Sequence, residues 1–557
     1  MLLRNRLAGA TLGLIGLTVI LTWPLVLHLG GAVPDHDDPF FSMWRLAWIA
    51  HALPRDPAHL FNANIFYPHA RTLAYSDAML LQGLLAAPWL WAHVNLLLVY
   101  NLLLLAGIVS SGVGMFLLVR HLTGDADAAL VSAAIFTLAP YRVEHFMHLE
   151  LQWTVWMPLA FLAVHRLFER PSAERGLGVG LLLALQLLSS VYYGVYLGVI
   201  VTALVILLAA ARTGDARAAL LPLGVAALVA GGVAAAYGLP YLESARVVGT
   251  RAPGETASYS AQWSSYLSAP MENWLWGWTA FAFEGNELHL FPGVVAVLAA
   301  AVGVVGHRRD RVMWIYLALT LLAIDLSLGM NGATYSWLYG HLRPLSGFRA
   351  PARFGILAVA ALSVLAGFGF QYLGRRVAAA RALLIVVLVA IAVDSGSAPL
   401  RLTAVQRSTP FVYTALDTFL DPQHKSVVIE LPMAAGFNAV YMFWSTRHWR
   451  SLVNGYSGYA PRDFEETVKC LCTFPDDESI ARLQALGVGH VFIHEAYYPE
   501  KERTALMLAT ARAPDLIPVG RYRDWIGMTQ VFKLKPSPHP YSPRSPDQLT
   551  ACGGSGK

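Results

Sequence analysis

The sequence predicts a polytopic α-helical membrane protein with a water-soluble α/β domain at its C-terminal end. Three observations carry that fold class: a shortage of charge, a series of apolar stretches long enough to cross a bilayer, and a change of composition near residue 397. Of the 557 residues, 56% are hydrophobic and only 13% charged, where soluble domains carry roughly 25%. A water-soluble globule of this composition would leave much apolar surface wet, so lipid is the expected solvent. The formal net charge of +5 does not point to nucleic acid, because the basic residues fall in short connections between apolar stretches.

Arg4 and Arg6 precede an apolar run from about residue 7 to 29. That run exceeds the h-region of a secretory signal peptide and many more follow it, so a retained signal anchor is expected. Stretches able to cross roughly 30 Å of hydrocarbon lie near 7–30, 95–119, 127–141, 151–168, 176–191, 194–211, 218–238, 290–306, 312–328, 354–373 and 380–396, about eleven spans in all. Residues 79–92 are too few to span and read as an interfacial or re-entrant segment.

Every second connection is basic: Arg4/Arg6, Arg120, Arg166/Arg170/Arg175, Arg212/Arg217, Arg308/Arg309/Arg311 and Arg375/Arg376/Arg381. Positive residues in short loops stay on the cytoplasmic side, which places the N-terminus inside. The connections 34–94, 239–289 and 329–353 are then extracytoplasmic and hold most of the acidic and aromatic residues. Trp274-Leu275-Trp276-Gly277-Trp278 suits rings at headgroup level.

The transmembrane domain is thus expected over 1–396, followed by an extracytoplasmic α/β domain over 397–535. Its strands are read at 426–431, 488–494 and 529–534, with a helix from Asp477 to Leu486 before the second. Residues 536–557 are Pro/Ser-rich and are expected to form a disordered tail. Cys470, Cys472 and Cys552 have no metal-ligand spacing.

The residues that could carry chemistry gather in the outer connections. Asp35-His36-Asp37-Asp38-Pro39 follows the first span directly. Clustered carboxylates at a membrane surface make a general base or a cation site. Equally, Asp38 followed by Pro39 fits an N-cap and N1 pair on a helix beginning at Pro39. Arg349 and Arg353 stand at the outer end of a span, where the positive-inside rule disfavours arginine, and four residues apart. They read as counter-charges for a phosphate or as interfacial arginines reaching for headgroups.

Tyr141-Arg142-Val143-Glu144-His145-Phe146-Met147-His148-Leu149-Glu150-Leu151-Gln152 fills a short outer turn. Helical spacing would set His145, His148 and Gln152 near one face and pair Glu144 with His148, for a divalent metal, for sugar hydroxyls, or as a hydrogen-bonded polar turn. The long connection 239–289 includes Glu243, Arg246, Arg251, Glu255, Tyr259, Gln262, Glu272, Glu284 and Glu287. Its length is that of a lid or a binding loop, and its charges equally fit a solvated surface. In the C-terminal part, Glu430, Tyr441, His448 and Asn454-Gly455-Tyr456-Ser457-Gly458 read as strand ends and turns.

This layout resembles the GT-C superfamily of polytopic glycosyltransferases. The phrases around Asp38-Pro39, Asn64-Ile65-Phe66-Tyr67-Pro68, Tyr75-Ser76-Asp77, His148-Leu149-Glu150-Leu151-Gln152, Ser190-Val191-Tyr192-Tyr193-Gly194 and Phe348-Arg349-Ala350-Pro351-Ala352-Arg353-Phe354 are similar to a group of uncharacterised bacterial membrane proteins related to it. The resemblance covers most of residues 1–400 and implies transfer of a sugar from a polyprenyl-phosphate carrier to an acceptor at the outer face of the bacterial inner membrane. It gives the role of base or metal ligand to Asp38, with Asp37 beside it, although many members carry Asp-Glu or Glu-Asp where this chain has Asp-Asp. On the same resemblance, Arg349 and Arg353 would meet the donor phosphate. His148, Glu150, Gln152, Tyr67, Asp77 and Tyr193 would contact substrate. A divalent metal such as Mg or Mn is left open, as is the acceptor. Two other classes fit a polytopic chain: a transporter or flippase of lipid-linked glycans, and a non-catalytic membrane scaffold.

Overall fold

A computed structural model describes residues 2–211, 216–282, 287–406, 408–525 and 527–537. The expected tail beyond 537, with Cys552, Arg212 and Glu284, lies outside the described residues. The chain forms two compact units. The first is built from residues 1–35, 79–239 and 250–403, the second from 36–78, 240–249 and 404–557.

The first unit is helical, and a helix occupies each apolar stretch expected from the sequence. Among the described residues five segments are long and apolar enough to cross a membrane: Leu96–Thr123, Ala126–Glu144, Val191–Ala210, Ala216–Val248 and Pro351–Gly374. Local chemistry sets their ends. Asn95 caps the first of these by accepting from the Leu97 and Leu98 amides at 2.8 and 3.3 Å. Gly124, at φ +69°, closes it in the left-handed conformation that glycine adopts without a Cβ penalty. Asp125 then caps the next helix through the amides of Asp127 and Ala128.

Burial separates inner from outer helices. The most apolar window of Pro351–Gly374 is 83% buried and that of Ala216–Val248 only 17%. The inner position of the former follows from its small residues. A Cβ at Gly369 would lie 1.8 Å from the Ala299 carbonyl oxygen, and one at Gly303 would lie 2.3 Å from that of Leu365. Helices Val294–Gly306 and Gly355–Gly374 therefore approach backbone to backbone, which is how apolar helices gain packing where lipid removes the hydrophobic drive. Leu80–Trp91 has 12 residues and contains Pro88, in keeping with a segment too short to span.

The second unit contains a four-stranded sheet over Val427–Leu431, Val488–His494, Gly527–Leu534 and Leu516–Asp524, in that spatial order. The first pair is parallel and the other two are antiparallel, with Ile429 opposite Val491 and Phe492 opposite Val531. Asp477–Ala485 forms the expected helix, capped by Asp476 through the Ser479 amide. The strand Leu516–Asp524 escapes a sequence reading because Pro518 and Gly520 interrupt its alternation. It is an edge strand with a register shift between those two residues, where a missing ladder donor is tolerated.

Residues 36–78 join this sheet domain through buried polar ties. Trp44 Nε1 donates to Asn64 Oδ1, and Asn64 Nδ2 donates to Ser445 Oγ and to the Arg450 carbonyl. Helix Asp37–Ala52 packs against helix Ala435–Ser445. Trp44 and Trp48 are consequently buried in protein. Trp274 and Trp278, in the first unit, are exposed as interfacial rings should be.

Candidate active site

In the second unit the helix bearing the acidic motif begins at Asp37, with His36 at the cap position and no side-chain cap bond. Asp38 therefore lies within the first turn, and the alternative in which it caps a helix starting at Pro39 does not hold. The two carboxylates have different neighbours. Asp37 Oδ1 is 2.6 Å from His36 Nδ1, and a Cβ added to Gly436 would stand 3.0 Å from that same oxygen. Asp37 thus sits against the first turn of helix Ala435–Ser445 as well as in the first turn of its own helix, where partial positive charge favours an anion. Asp38 Oδ1 accepts from the Tyr456 hydroxyl at 3.1 Å. Both carboxylates are partly exposed.

Tyr67 and Asp77 belong to the same unit. The Tyr67 amide donates to the Leu452 carbonyl at 3.0 Å. Asp77 is buried, and its carbonyl accepts from Arg45 at 2.5 Å.

In the first unit the outer turn 140–152 does not run as one helix: Pro140–Glu144 and Leu149–Gln152 are separate short helices. His145 and His148 still meet, with ring centroids 6.0 Å apart, but Gln152 turns inward. Its amide donates to the Arg142 and His145 carbonyls and accepts from the Arg142 guanidinium, so it braces the turn. The expected pairing of Glu144 with His148 does not form as a shared site: Glu144 accepts from His289 at 2.9 Å, while His148 Nε2 is 4.0 Å from Glu287. Tyr193 is buried and bonds to the Tyr141 hydroxyl at 3.1 Å. Glu150 is buried as well. Among the described residues no three His, Cys, Asp or Glu side chains are grouped as a metal site.

The two arginines also part company. Arg349 lies outside any helix, and Pro351–Phe354 forms a 3-10 turn before the helix begins at Gly355, so the four-residue spacing does not become a helical turn. Arg353 makes a bidentate ion pair with Glu287 at 2.6 and 2.8 Å and lies over the Tyr192 ring at 4.6 Å. Both members are largely buried, with side chains 7% and 13% exposed. Burial pushes the Glu287 carboxyl up, but the Arg353 guanidinium, through its charge and its two hydrogen bonds, outweighs it and holds that carboxyl well below the usual range. Burial holds His145 down to about 3, so its ring is neutral. Arg349 is more open, with 29% of its side chain exposed, and is 3.7 Å from Glu255. Glu255 also pairs with Arg251 at 2.8 Å. Two guanidiniums thus share the Glu255 carboxylate.

Three relations were invisible to the sequence reading. Tyr456 meets Asp38 from 418 positions away. Glu287 neutralises Arg353 from 66 positions away. Glu430, wholly buried, accepts from the Tyr413 hydroxyl and lies 2.7 Å from His494. None of these distances corresponds to a helical or strand period, so no local pattern announces them.

The architecture defines a multi-pass membrane protein with the GT-C fold. Among the solved structures similar to it is the arabinofuranosyltransferase AftD from Mycobacteria, matched at a TM-score of 0.65 and 14% identity over 96% of this chain and 40% of that one. The archaeal oligosaccharyltransferase AglB from Archaeoglobus fulgidus, solved with an inhibitory peptide and a dolichol-phosphate, is matched at 0.53 and 13% over 94% and 73%. This chain spans about 40% of the length of AftD. At such identities the likeness is one of fold, and it agrees with the resemblance read from the sequence. No family model matches the chain, and no curated protein does.

Proposed function

We propose that this chain is an integral-membrane glycosyltransferase that moves a sugar from a polyprenyl-phosphate-linked donor to a glycan, lipid or protein acceptor at the extracytoplasmic face of the bacterial inner membrane. The observation that carries the reading is Asp38, a partly exposed carboxylate in the first turn of a buried-aromatic helix, which accepts a hydrogen bond from the Tyr456 hydroxyl. The eleven helices that fill the apolar stretches are its spans, the N-terminus is cytoplasmic, and the sheet domain is extracytoplasmic. The arabinofuranosyltransferase among the structural neighbours supports sugar transfer, and the dolichol-phosphate bound in another supports the donor class.

An acceptor hydroxyl is a weak nucleophile. Asp38 takes its proton as the oxygen attacks the anomeric carbon, a service that contributes roughly 10²–10⁴ in rate. The new carbon–oxygen bond forms as the bond to the phosphate oxygen breaks, and the electron pair leaves with the polyprenyl phosphate. A single displacement of this kind inverts the anomeric centre. Within the first unit Arg349 is the candidate for contact with the donor phosphate, because Arg353 is already neutralised by Glu287 and would have to abandon a buried bidentate pair. His148, Tyr67 and Asp77 are assigned to substrate contact, whereas Gln152 and Tyr193 support the turn that carries His148.

A transporter would place ionisable groups along a path through the helices. The acidic residue that fits that description, Asp325, instead accepts from the Ala333 and Thr334 amides at 3.3 and 3.1 Å and caps a short outer helix. Asp394 likewise binds the Val295 amide and Trp276 Nε1.

The test uses the full chain in lipid nanodiscs with two donor probes, a polyprenyl-phosphate-linked arabinofuranose and a polyprenyl-phosphate-linked hexose. Release of polyprenyl phosphate from at least one, dependent on protein and on an added glycan acceptor, is expected. Flux of an intact fluorescent lipid-linked glycan across the bilayer of sealed proteoliposomes holding the full chain, with no bond cleavage, would overturn the reading.

A further inference from the structure

We infer that Tyr456 is a positioning residue for Asp38. This deepens the reading above and rests on it for its catalytic consequence, while the coupling between the two side chains stands on geometry alone. The Tyr456 hydroxyl donates to Asp38 Oδ1 at 3.1 Å. A donor fixed on one carboxylate oxygen sets the plane of the carboxylate and selects which oxygen faces an incoming hydroxyl.

The tyrosine is itself held at both ends. Its ring stands edge-on to Phe41, centroids 5.6 Å apart at 87°, one turn along the helix that carries Asp38. Its amide donates to Met442 Sδ at 3.0 Å, which ties it to helix Ala435–Ser445. Two residues earlier, wholly buried Asn454 accepts from the Glu430 amide at 2.8 Å and donates to the Glu430 carbonyl at 2.7 Å and to Asn438 Oδ1 at 2.8 Å. The loop 454–458 is therefore clamped to the sheet edge before it reaches Asp38. An orientation fixed in advance by packing costs nothing at the moment of reaction, which is the condition under which a base works best. The loop read from its Asn-Gly pair as a turn thus delivers a side chain to the acidic motif.

The experiment compares wild type, Tyr456→Phe, Asp38→Asn and the double variant of the full chain in nanodiscs, by thermal unfolding and by turnover of the polyprenyl-phosphate-linked probe. Phenylalanine keeps the ring against Phe41, so each single variant should fold and lower the unfolding midpoint by about 2–4 °C. The double variant should fall by less than the sum of the two single shifts, because the Tyr456 hydroxyl loses less where a weaker amide acceptor has replaced the carboxylate. In turnover, Tyr456→Phe should lower kcat about tenfold or more with KM unchanged, and should have no effect in the Asp38→Asn background. Additive midpoint shifts, or a raised KM with kcat intact, would overturn the assignment. Non-additive shifts in a wild-type protein that cleaves no probe would count against the glycosyltransferase reading and leave the coupling in place.

Discussion

The acidic turn of the second unit and the ionic cluster of the first hold the same residue types in opposite conditions. Asp37 and Asp38 are partly exposed, and Asp38 accepts from a neutral hydroxyl, that of Tyr456. Glu287 is tied by two charged hydrogen bonds from Arg353, with His145 and His148 close behind, and takes a left-handed backbone at φ +59° that costs a non-glycine residue about 1–3 kcal/mol. A carboxylate saturated by a buried guanidinium cannot take a proton from substrate without leaving a charge unpaired. Asp38 is partly exposed and has a neutral hydroxyl donor. The contrast separates a carboxylate proposed above to react from one that ties the end of the long connection 239–289 to the turn 140–152.

The holding role is the one whose loss should be most costly. Glu287→Ala strands the Arg353 guanidinium in a largely buried place, and removal of one partner of a buried pair destabilises by about 3–5 kcal/mol. A large drop in the unfolding midpoint is expected, with Glu287→Gln intermediate. A midpoint unchanged in both would mean that the pair does not hold the loop.

Arg349 lies on the other side of the comparison, half-open and shared with Glu255. Arg349→Ala should weaken donor binding by about 1.5–3 kcal/mol, roughly 10–100-fold in KM, with little loss of stability. The same variant assayed at rising ionic strength should show a flatter salt dependence than wild type.

The smallest expected effect belongs to His289. Its hydrogen bond with Glu144 raises its pKa above the ordinary 6.5, against the opposing effect of burial. A histidine raised in the folded state contributes stability that is fully present below 6.5 and is lost as pH rises through the raised value. The protection of amides around His289, taken relative to the intrinsic rise of exchange with pH, should therefore fall as pH rises above 6.5. His289→Asn should remove that dependence, at a cost of at most about 1 kcal/mol given its partial exposure.

Much of the helical framework was legible because a membrane span is a local property: length, apolarity and flanking arginines sit together in the chain. The strands 427–431 and 488–494 and the helix after Asp476 were legible for the same reason, each carrying its own period and cap. What could not be read was assembly. Hydropathy sees residues 36–78 as a loop, yet Trp44 and Asn64 pack them with Ser445 and Arg450 into one unit with the sheet. The Arg349/Arg353 spacing looked like a helical pair and became two separate ion pairs, because Pro351 delays the helix until Gly355. Gln152 looked like a member of a binding face and turned into a brace, since three hydrogen bonds within the turn outcompete exposure.

The central claim is that Asp38, and not Asp37, takes the acceptor proton. Donor turnover by Asp38→Asn and Asp37→Asn, each at wild-type protein level in nanodiscs, tests it most directly. The account predicts a loss of about 10²–10⁴ in kcat for Asp38→Asn and less than about tenfold for Asp37→Asn, whose carboxylate is engaged by His36 and the first turn of helix Ala435–Ser445. Full turnover by Asp38→Asn, or the larger loss in Asp37→Asn, would contradict it.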